Sequence, residues 1–493
     1  MMNTIKHAFA SFWIGLAGMV FILNSCTGVP TPSVKEIIVT STVSPTETPA
    51  VAVASEVETT SRGYQTTPQE LTVIAGKAEQ GVEPYRSAVD DVLDWANKEW
   101  DFELATEETC ENADQPAWND NGGGTPILYA KAIAYHLTGE TRYGEEVKDI
   151  LERIMTEVQR IAVDPARCSL TFSWGTPEVV ASADLIEDFW GDQTCTGPTS
   201  TDYLVSDVAS GNCKDLFQNW LAKNPYYVIS LLSENSKANA GSSATNTLAY
   251  IADYLWDRPE MQLVHRLPPE ISSEGSVRFS PAEAFAHANQ LAIDRMNGYG
   301  IEYGSPSSCD LLSGGQQRRD LAPVKSQITE NGILPEDARR EEYCNITNYN
   351  GAYQNYPQLH LGHSIQQCEL MLRRGDSSCY DNVDNTDIPD YEFLGPDGVS
   401  RTTDLQAGRG SIERAIKAVI VDSGTEWRHD PALYIAYHYY FENHSLPGFE
   451  AWADELEGGE ATCGQDACFG ALTHGFAIEE EDPSPPPTVL PPR

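Results

Sequence analysis

The sequence has few basic residues for its length and little of the alternation that marks β-strands. Its 493 residues include 32 Lys and Arg against 73 Asp and Glu, a formal net charge of −41. Because phosphate binding requires a basic footprint, this balance argues against nucleic acid as a partner. Most of the clustered basic residues fall in one stretch, which contains Arg318-Arg319, Lys325, Arg339-Arg340 and Arg373-Arg374. That stretch is either a local anion site or a set of solvated helix ends.

The apolar run near the N-terminus, Ala8 to Leu23, is too short and wrongly flanked for a membrane span. We interpret residues 1–25 as a lipoprotein signal peptide because Leu23-Asn-Ser-Cys26 resembles a bacterial lipobox, which makes Cys26 the lipidated residue. The alternative is an ordinary signal peptide with a chance cysteine. We therefore expect an exported protein that is lipid-anchored to the bacterial cell envelope and contacts the membrane only through that anchor.

Two segments lack the large apolar residues that a folded core needs. Residues 26–63 are rich in Pro, Ser and Thr, which predicts a disordered tether. Residues 479–493 are acidic and proline-rich, which predicts a disordered tail. The expected folded domain is therefore 64–478.

Closely spaced Cys-x-x-Cys pairs are also absent, which argues against a structural zinc site. Of the 11 cysteines, those other than Cys26 form an even set, and in an exported protein we expect them to form disulfides. Cys463 and Cys468 are close enough in sequence to be one pair. We predict no cofactor and no metal.

Helical periodicity recurs along the chain and predicts an all-α fold. The short joins between helices favour antiparallel hairpins arranged as an (α/α) toroid or incomplete barrel. The predicted helices are Tyr85–Ala96, Thr125–Gly139, Arg142–Ile161, Pro177–Trp190, Lys214–Leu232, Ser242–Trp256, Pro281–Met296, Tyr356–Arg374, Ile412–Val421 and Pro431–Phe441.

Three groups of residues are candidates for chemistry. Asn239 opens an apolar helix, where Asn also serves as an ordinary cap. Arg339 and Arg340 lie together, although a surface salt bridge with the neighbouring glutamates would explain them equally. Tyr356 and His360 share one helix face, which is typical of either a site or a packing surface.

His363 lies on that face too, so His360-x-x-His363 could bind a metal. The sequence offers no identifiable carboxylate partner, and we do not predict a metal there.

These residue types suit the removal of a proton next to a uronate carboxylate. The enzyme must neutralise that carboxylate, stabilise the developing enolate-like charge and supply a base and an acid. An Asn amide and an Arg guanidinium suit the first two tasks, and a Tyr phenol can transfer the proton. Cleavage of the glycosidic bond by β-elimination then follows without water.

Four segments carry a resemblance to a known family. They are Ala134–Tyr143, Asn239–Thr245, Asn331–Arg339 and Tyr356–Asp376. With them, the chain resembles the alginate-lyase-like family of helical-toroid polysaccharide lyases over roughly residues 125–441. The resemblance implies an acidic polysaccharide (polyuronate) as the substrate and Tyr356, Arg339 and Asn239 as catalytic residues.

The resemblance also implies that Arg340, the close competitor of Arg339, and His360 bind the substrate. Trp118 and Trp174 could stack on sugar rings, although either could equally be core.

The chain departs from the family pattern in two places. The family has Asn-Asn-His where this chain has Ala238-Asn239-Ala240, so the histidine is missing. This favours syn elimination with one tyrosine as base and acid, as on D-mannuronate or D-glucuronate chains, unless another histidine such as His360 or His363 fills the gap. The segment from Arg339 to Tyr356 is also long, so the alternative catalytic tyrosines are Tyr343, Tyr349 and Tyr353.

Two other functions remain open at this stage. A glycoside hydrolase on the same toroid would need two carboxylates across a cleft, and the many acidic residues allow such a pair. A non-catalytic glycan-binding lipoprotein would be a relative that lost activity together with its histidine. The products separate these cases, because a lyase leaves an unsaturated sugar.

Overall fold

Helices dominate the part of the chain that the structure, a computed structural model, describes. The described residues are 63–100, 124–158, 166–198, 208–236, 238–269, 272–296, 337, 355–382, 392–394, 400–402, 411–417, 430–443, 461–463 and 467–475. They belong to a single compact unit, Thr59–Arg493. The predicted signal peptide, Cys26, most of the tether and the tail lie outside the described residues.

The helices follow the predicted pattern closely. They are α1 (Pro68–Glu79), α2 (Tyr85–Ala96), α3 (Gly124–Thr138), α4 (Thr141–Glu157), α5 (Ala166–Leu185), α6 (Glu187–Trp190), α7 (Cys213–Lys223), α8 (Pro225–Asn235), α9 (Asn239–Tyr254), α10 (Pro281–Met296), α11 (Asn355–Arg373), α12 (Ile412–Lys417), α13 (Asp430–Asn443) and α14 (Gly470–His474). The strands form three antiparallel two-stranded hairpins: β1 (Thr194–Pro198) with β2 (Val208–Asn212), β3 (Leu263–Arg266) with β4 (Ser276–Phe279), and β5 (Glu392–Leu394) with β6 (Ser400–Thr402).

The helix contacts close into a ring. Within the described residues, α2 contacts α3, then α3 contacts α5, α5 contacts α9, α9 contacts α11, α11 contacts α13, α13 contacts α14, and α14 returns to α2. The other long helices pack against members of the ring, such as α4 against α3 and α10 against α9. The fold is therefore all-α and toroidal, as the sequence predicts.

Helix α9 is the most deeply buried element of the ring. Every residue of α9 is buried except Ala240, which is half-buried. A helix in contact on all sides with its neighbours needs small side chains and satisfied polar groups. Ser243 Oγ donates to Ser173 Oγ on α5 at 2.7 Å, and Thr247 Oγ1 donates to the Ser173 carbonyl oxygen at 2.6 Å. Small polar residues therefore link α9 to α5 by hydrogen bonds.

Two predicted helices differ from the structure by more than a shift of a few residues at one end. The segment predicted as one helix over Lys214–Leu232 is two helices, because Pro225 has no N–H to continue the first and begins the second. The helix predicted from Pro177 begins 11 residues earlier, at Ala166, with Pro177 inside α5. Helix α1, which the sequence analysis did not predict, begins with a capping box formed by Thr67 and Glu70.

The basic pair at the end of α11 is neither an anion site nor a solvated helix end. Arg374 makes a bidentate pair with the buried Asp253, with Nε 2.6 Å from Oδ1 and Nη2 2.5 Å from Oδ2. Arg373 Nε donates to Glu369 at 2.7 Å, and its Nη2 donates to the Gln65 carbonyl oxygen at 2.7 Å. Both arginines thus form buried structural ion pairs. Both also hold the chain segment before α1, since Arg374 Nη1 donates to the Gly63 carbonyl oxygen at 2.9 Å.

Three disulfides lie within the described residues. The predicted pair Cys463–Cys468 is confirmed. Cys195–Cys213 joins β1 to the start of α7, and Cys368–Cys379 joins α11 to the loop that follows it. These bonds agree with an extracellular or periplasmic location. Among the described helices, none has both the length and the apolar character required to cross a membrane.

Candidate functional site

A buried carboxylate holds the start of α9. The N-cap residue, Ala238, makes no side-chain cap hydrogen bond. Instead the Asn239 backbone N–H donates to Asp337 Oδ1 at 2.9 Å, and the two residues are 98 positions apart in the sequence. A negative charge at a helix N-terminus is favourable because the first N–H groups have no partner within the helix. The sequence suggested that a neighbouring side chain caps this helix. Asp337, which is distant in sequence, makes the contact instead.

The same carboxylate binds a histidine of α11. The His360 Nδ1–H donates to Asp337 Oδ2 at 2.7 Å, and the two side chains are 1% and 0% exposed. His360 Nε2 has no hydrogen-bond partner within the described part of the chain. Asp337 thus joins the start of α9 to α11, and it supplies the carboxylate partner that the sequence analysis did not find for His360.

Tyr356 lies one turn before His360 on α11 and is half-buried. Residues four positions apart share a helix face, so Tyr356 is the more accessible member of the face that carries His360. His363, on the same helix, is buried. The structure therefore brings Asn239 and His360 together through Asp337, with Tyr356 beside them on α11.

Several predicted site residues lie outside the described residues, namely Arg339, Arg340, Trp118, Tyr343, Tyr349 and Tyr353. Arg339 and Arg340 follow Asp337 by two and three positions in the sequence.

Trp174 is described and half-buried on α5. It neighbours Ser173, the residue that bonds to α9.

Gly241 allows the chain to turn closely into α9. A Cβ at this position would lie 2.0 Å from the Ser236 carbonyl oxygen and 3.1 Å from Arg295 Nε. Arg295 is buried, and its guanidinium donates to Thr245 Oγ1 at 3.0 Å and to the Ser233 carbonyl oxygen at 2.9 Å. Burial lowers the pKa of Arg295 to about 10. Gly241 is therefore required by space, because a backbone oxygen and a fixed guanidinium occupy the position of a side chain.

A second polar cluster, which the sequence analysis missed, lies next to this corner. Glu234 Oε1 is 2.9 Å from His265 Nε2 and 2.8 Å from His287 Nε2. Burial raises the pKa of Glu234, but the hydrogen bonds from the two imidazoles outweigh burial and hold this pKa at about 2. No short motif links the three residues, because they come from α8, β3 and α10.

Comparisons with known proteins show little similarity in sequence. No protein family matches the chain, and no curated protein matches it. Among solved structures, the chain is similar to an alginate lyase from Bacteroides ovatus, with 13% sequence identity and a TM-score of 0.44. The alignment covers 85% of this chain and 100% of the other. A likeness at this level does not show what this chain binds or which reaction it catalyses.

Proposed function

We propose that this chain is a polysaccharide lyase that cleaves a uronate-containing polysaccharide by β-elimination. One observation carries the proposal: Asp337 accepts from the Asn239 backbone N–H at 2.9 Å and from His360 at 2.7 Å. The two segments that carry the stronger part of the resemblance, Asn331–Arg339 through Asp337 and Tyr356–Asp376 through His360, therefore meet the start of α9 at one buried carboxylate. The chemistry that these segments suit is the removal of a proton next to a carboxylate.

The roles proposed for Asn239 and Arg339 follow from the family resemblance, and that of Tyr356 also from its position on α11 and its exposure. Asn239 and Arg339 neutralise the substrate carboxylate and stabilise the enolate-like charge that develops when the C5 proton leaves. Tyr356 takes that proton and then returns one to the departing O4, so a single residue acts as base and acid. This sequence of steps suits D-mannuronate or D-glucuronate chains, in which the proton and the leaving oxygen lie on one face.

His360 has a positioning role in this proposal. Its side chain is 1% exposed, whereas Tyr356 is half-buried. We therefore assign proton transfer to Tyr356, with His360 holding Asp337, two positions before Arg339 in the sequence, against α11. Ala240, half-buried at the position of the family's missing histidine, leaves Tyr356 as the base.

The test is the ultraviolet absorbance of new carbon–carbon double bonds after incubation with polymannuronate, polyguluronate or glucuronan. Wild type is compared with Tyr356→Phe, and with Tyr135→Phe as a matched control. Tyr135 is also half-buried but lies on α3, where it packs against Phe189. We expect absorbance on one polymer, a loss of about 10²-fold or more in Tyr356→Phe and no loss in the control.

Other outcomes would replace the proposal with a specific alternative. Saturated products formed with water would identify a glycoside hydrolase. Binding to a polymer without any product would identify a glycan-binding protein. Full lyase activity in Tyr356→Phe would transfer the role of base to Tyr343, Tyr349 or Tyr353.

A further inference from the structure

Three potential metal ligands converge at the corner between α8 and α9. Glu234 lies in the last turn of α8, His265 on β3 and His287 on α10. Their nearest ligand atoms, one carboxylate oxygen and two imidazole nitrogens, all lie within 4.8 Å of one another. From this convergence we propose that Glu234, His265 and His287 form a binding site for a divalent transition-metal ion, with zinc as the best fit.

The donor set selects the kind of ion. Two imidazoles and one carboxylate suit zinc, whereas calcium and magnesium prefer oxygen ligands alone. Bond lengths of about 2.0–2.2 Å in a tetrahedral zinc site place neighbouring ligand atoms about 3.3 Å apart. The observed separations from Glu234 Oε1 are 2.9 and 2.8 Å, so binding requires the side chains to open by roughly half an ångström.

Burial defines where an ion would enter. The side chains of His265 and Glu234 are 0% and 6% exposed, whereas that of His287 is 31% exposed. Two ligands are therefore fixed in the interior and the third faces solvent. The solvent side leaves room for water as the fourth ligand, because three protein ligands and one water complete a tetrahedral zinc site.

A neighbouring phenol orients one of the imidazoles. The Tyr226 hydroxyl lies 3.2 Å from His265 Nδ1, and both side chains are buried. Histidine ligands of metals usually donate the N–H of the second ring nitrogen to an oxygen acceptor, which fixes the tautomer and the ring orientation. In the proposed metal-bound form, His265 Nδ1–H donates to the Tyr226 oxygen while Nε2 binds the ion.

The alternative is a purely hydrogen-bonded cluster, in which both Nε2–H groups donate to Glu234 and the Tyr226 hydroxyl donates to His265 Nδ1. The two forms differ in the tautomer of His265 and in their response to added metal. Ring contacts with Phe279 of β4, at centroid distances of 5.4 Å from His265 and 5.0 Å from His287, hold the imidazoles in place in either form.

The site would act as a structural clamp. Glu234 lies five positions before Asn239, and Arg295 binds the Ser233 carbonyl oxygen at 2.9 Å. An ion here would hold the β3–β4 hairpin and α10 against the turn that leads into α9. This role does not depend on the proposed lyase activity, because no ligand belongs to the candidate catalytic group.

The test uses the purified full chain after treatment with a chelator. We expect it to bind one equivalent of zinc in a calorimetric titration and to show the visible absorption of four-coordinate cobalt when Co²⁺ is added. Its thermal unfolding temperature should rise with zinc and not with magnesium, because an ion that binds only the folded state stabilises it.

Variants locate the site. His287→Ala should weaken zinc binding by 10-fold or more. His136→Ala, a matched control with a partly buried histidine whose Nε2 contacts the Leu185 carbonyl oxygen, should bind zinc as wild type does. Should His287→Ala fail to fold, the wild-type titration and the thermal shift decide the question. A wild-type chain that takes up no stoichiometric zinc, or a folded His287→Ala variant that binds zinc undiminished, would overturn the proposal.

Discussion

Replacing Gly241 with alanine tests how tightly the start of α9 is built. An alanine in a helix is ordinarily more stable than glycine by about 0.5–1 kcal/mol. Here the added Cβ would lie 2.0 Å from the Ser236 carbonyl oxygen, a backbone atom that cannot rotate away. Overpacking of this kind costs about 1–3 kcal/mol. We therefore expect Gly241→Ala to lower the free energy of unfolding by about 1–2 kcal/mol after the helix preference is offset.

Gly76 provides the matched control for this change. It lies inside α1, and a Cβ there would meet nothing within 4 Å. Gly76→Ala should raise the free energy of unfolding by about 0.5–1 kcal/mol. The measurement is the midpoint of urea unfolding followed by circular dichroism, with the disulfides intact and the slopes compared. If both variants are stabilised equally, the close approach of the Ser236 carbonyl to Gly241 is wrong.

Two further predictions concern the buried charges around Glu369 of α11, which include Arg373 of the same helix and His438 of α13. Glu369→Gln should lower the free energy of unfolding in urea by about 3–5 kcal/mol, because it removes the charge of a buried partner of Arg373. The control Glu157→Gln changes an exposed pair with Arg153 and should cost less than about 0.5 kcal/mol. Equal losses in the two variants would contradict the role of burial. Burial, with a contribution from a neighbouring histidine, lowers the pKa of His438 to about 4 from its ordinary value of 6.5. Below pH 6.5 the unfolded chain therefore binds a proton at this position that the folded chain does not, so His438 should lower the stability by about 3 kcal/mol between pH 6.5 and 4. His438→Gln should remove this share of the loss and leave the share of His136 and His265, whose pKa values burial also lowers.

Helical periodicity predicted most of the ring because each helix has a continuous apolar pattern. The bounds of α2 and α10 agree with the prediction residue for residue. The break at Pro225 was missed because the apolar spacing continues across it, although proline at that position is a sufficient signal. Helix α1 was missed for the opposite reason: its apolar pattern is weak, yet Thr67 and Glu70 form the capping-box spacing that marks a helix start.

The candidate site was predictable only in part. Asn239 and Tyr356 could be selected because each opens a helix with a local pattern of residues. Asp337 could not, because its two hydrogen bonds reach residues 98 and 23 positions away and no local spacing records them. The cluster of Glu234, His265 and His287 was missed on the same physical ground, since its members meet only when α8, β3 and α10 pack together.

These long-range contacts explain why the entrance of α9 can be both buried and well defined. A helix start brings unpartnered N–H groups into the interior, where each costs free energy. Asp337 satisfies one of these groups from one side, and Arg295 fixes the preceding turn from the other by binding Thr245 and the Ser233 carbonyl oxygen. Gly241 leaves the space in which these parts meet. The position of Asn239 therefore depends on partners contributed by three separate stretches of the chain, and a change at any of them should displace the same helix start.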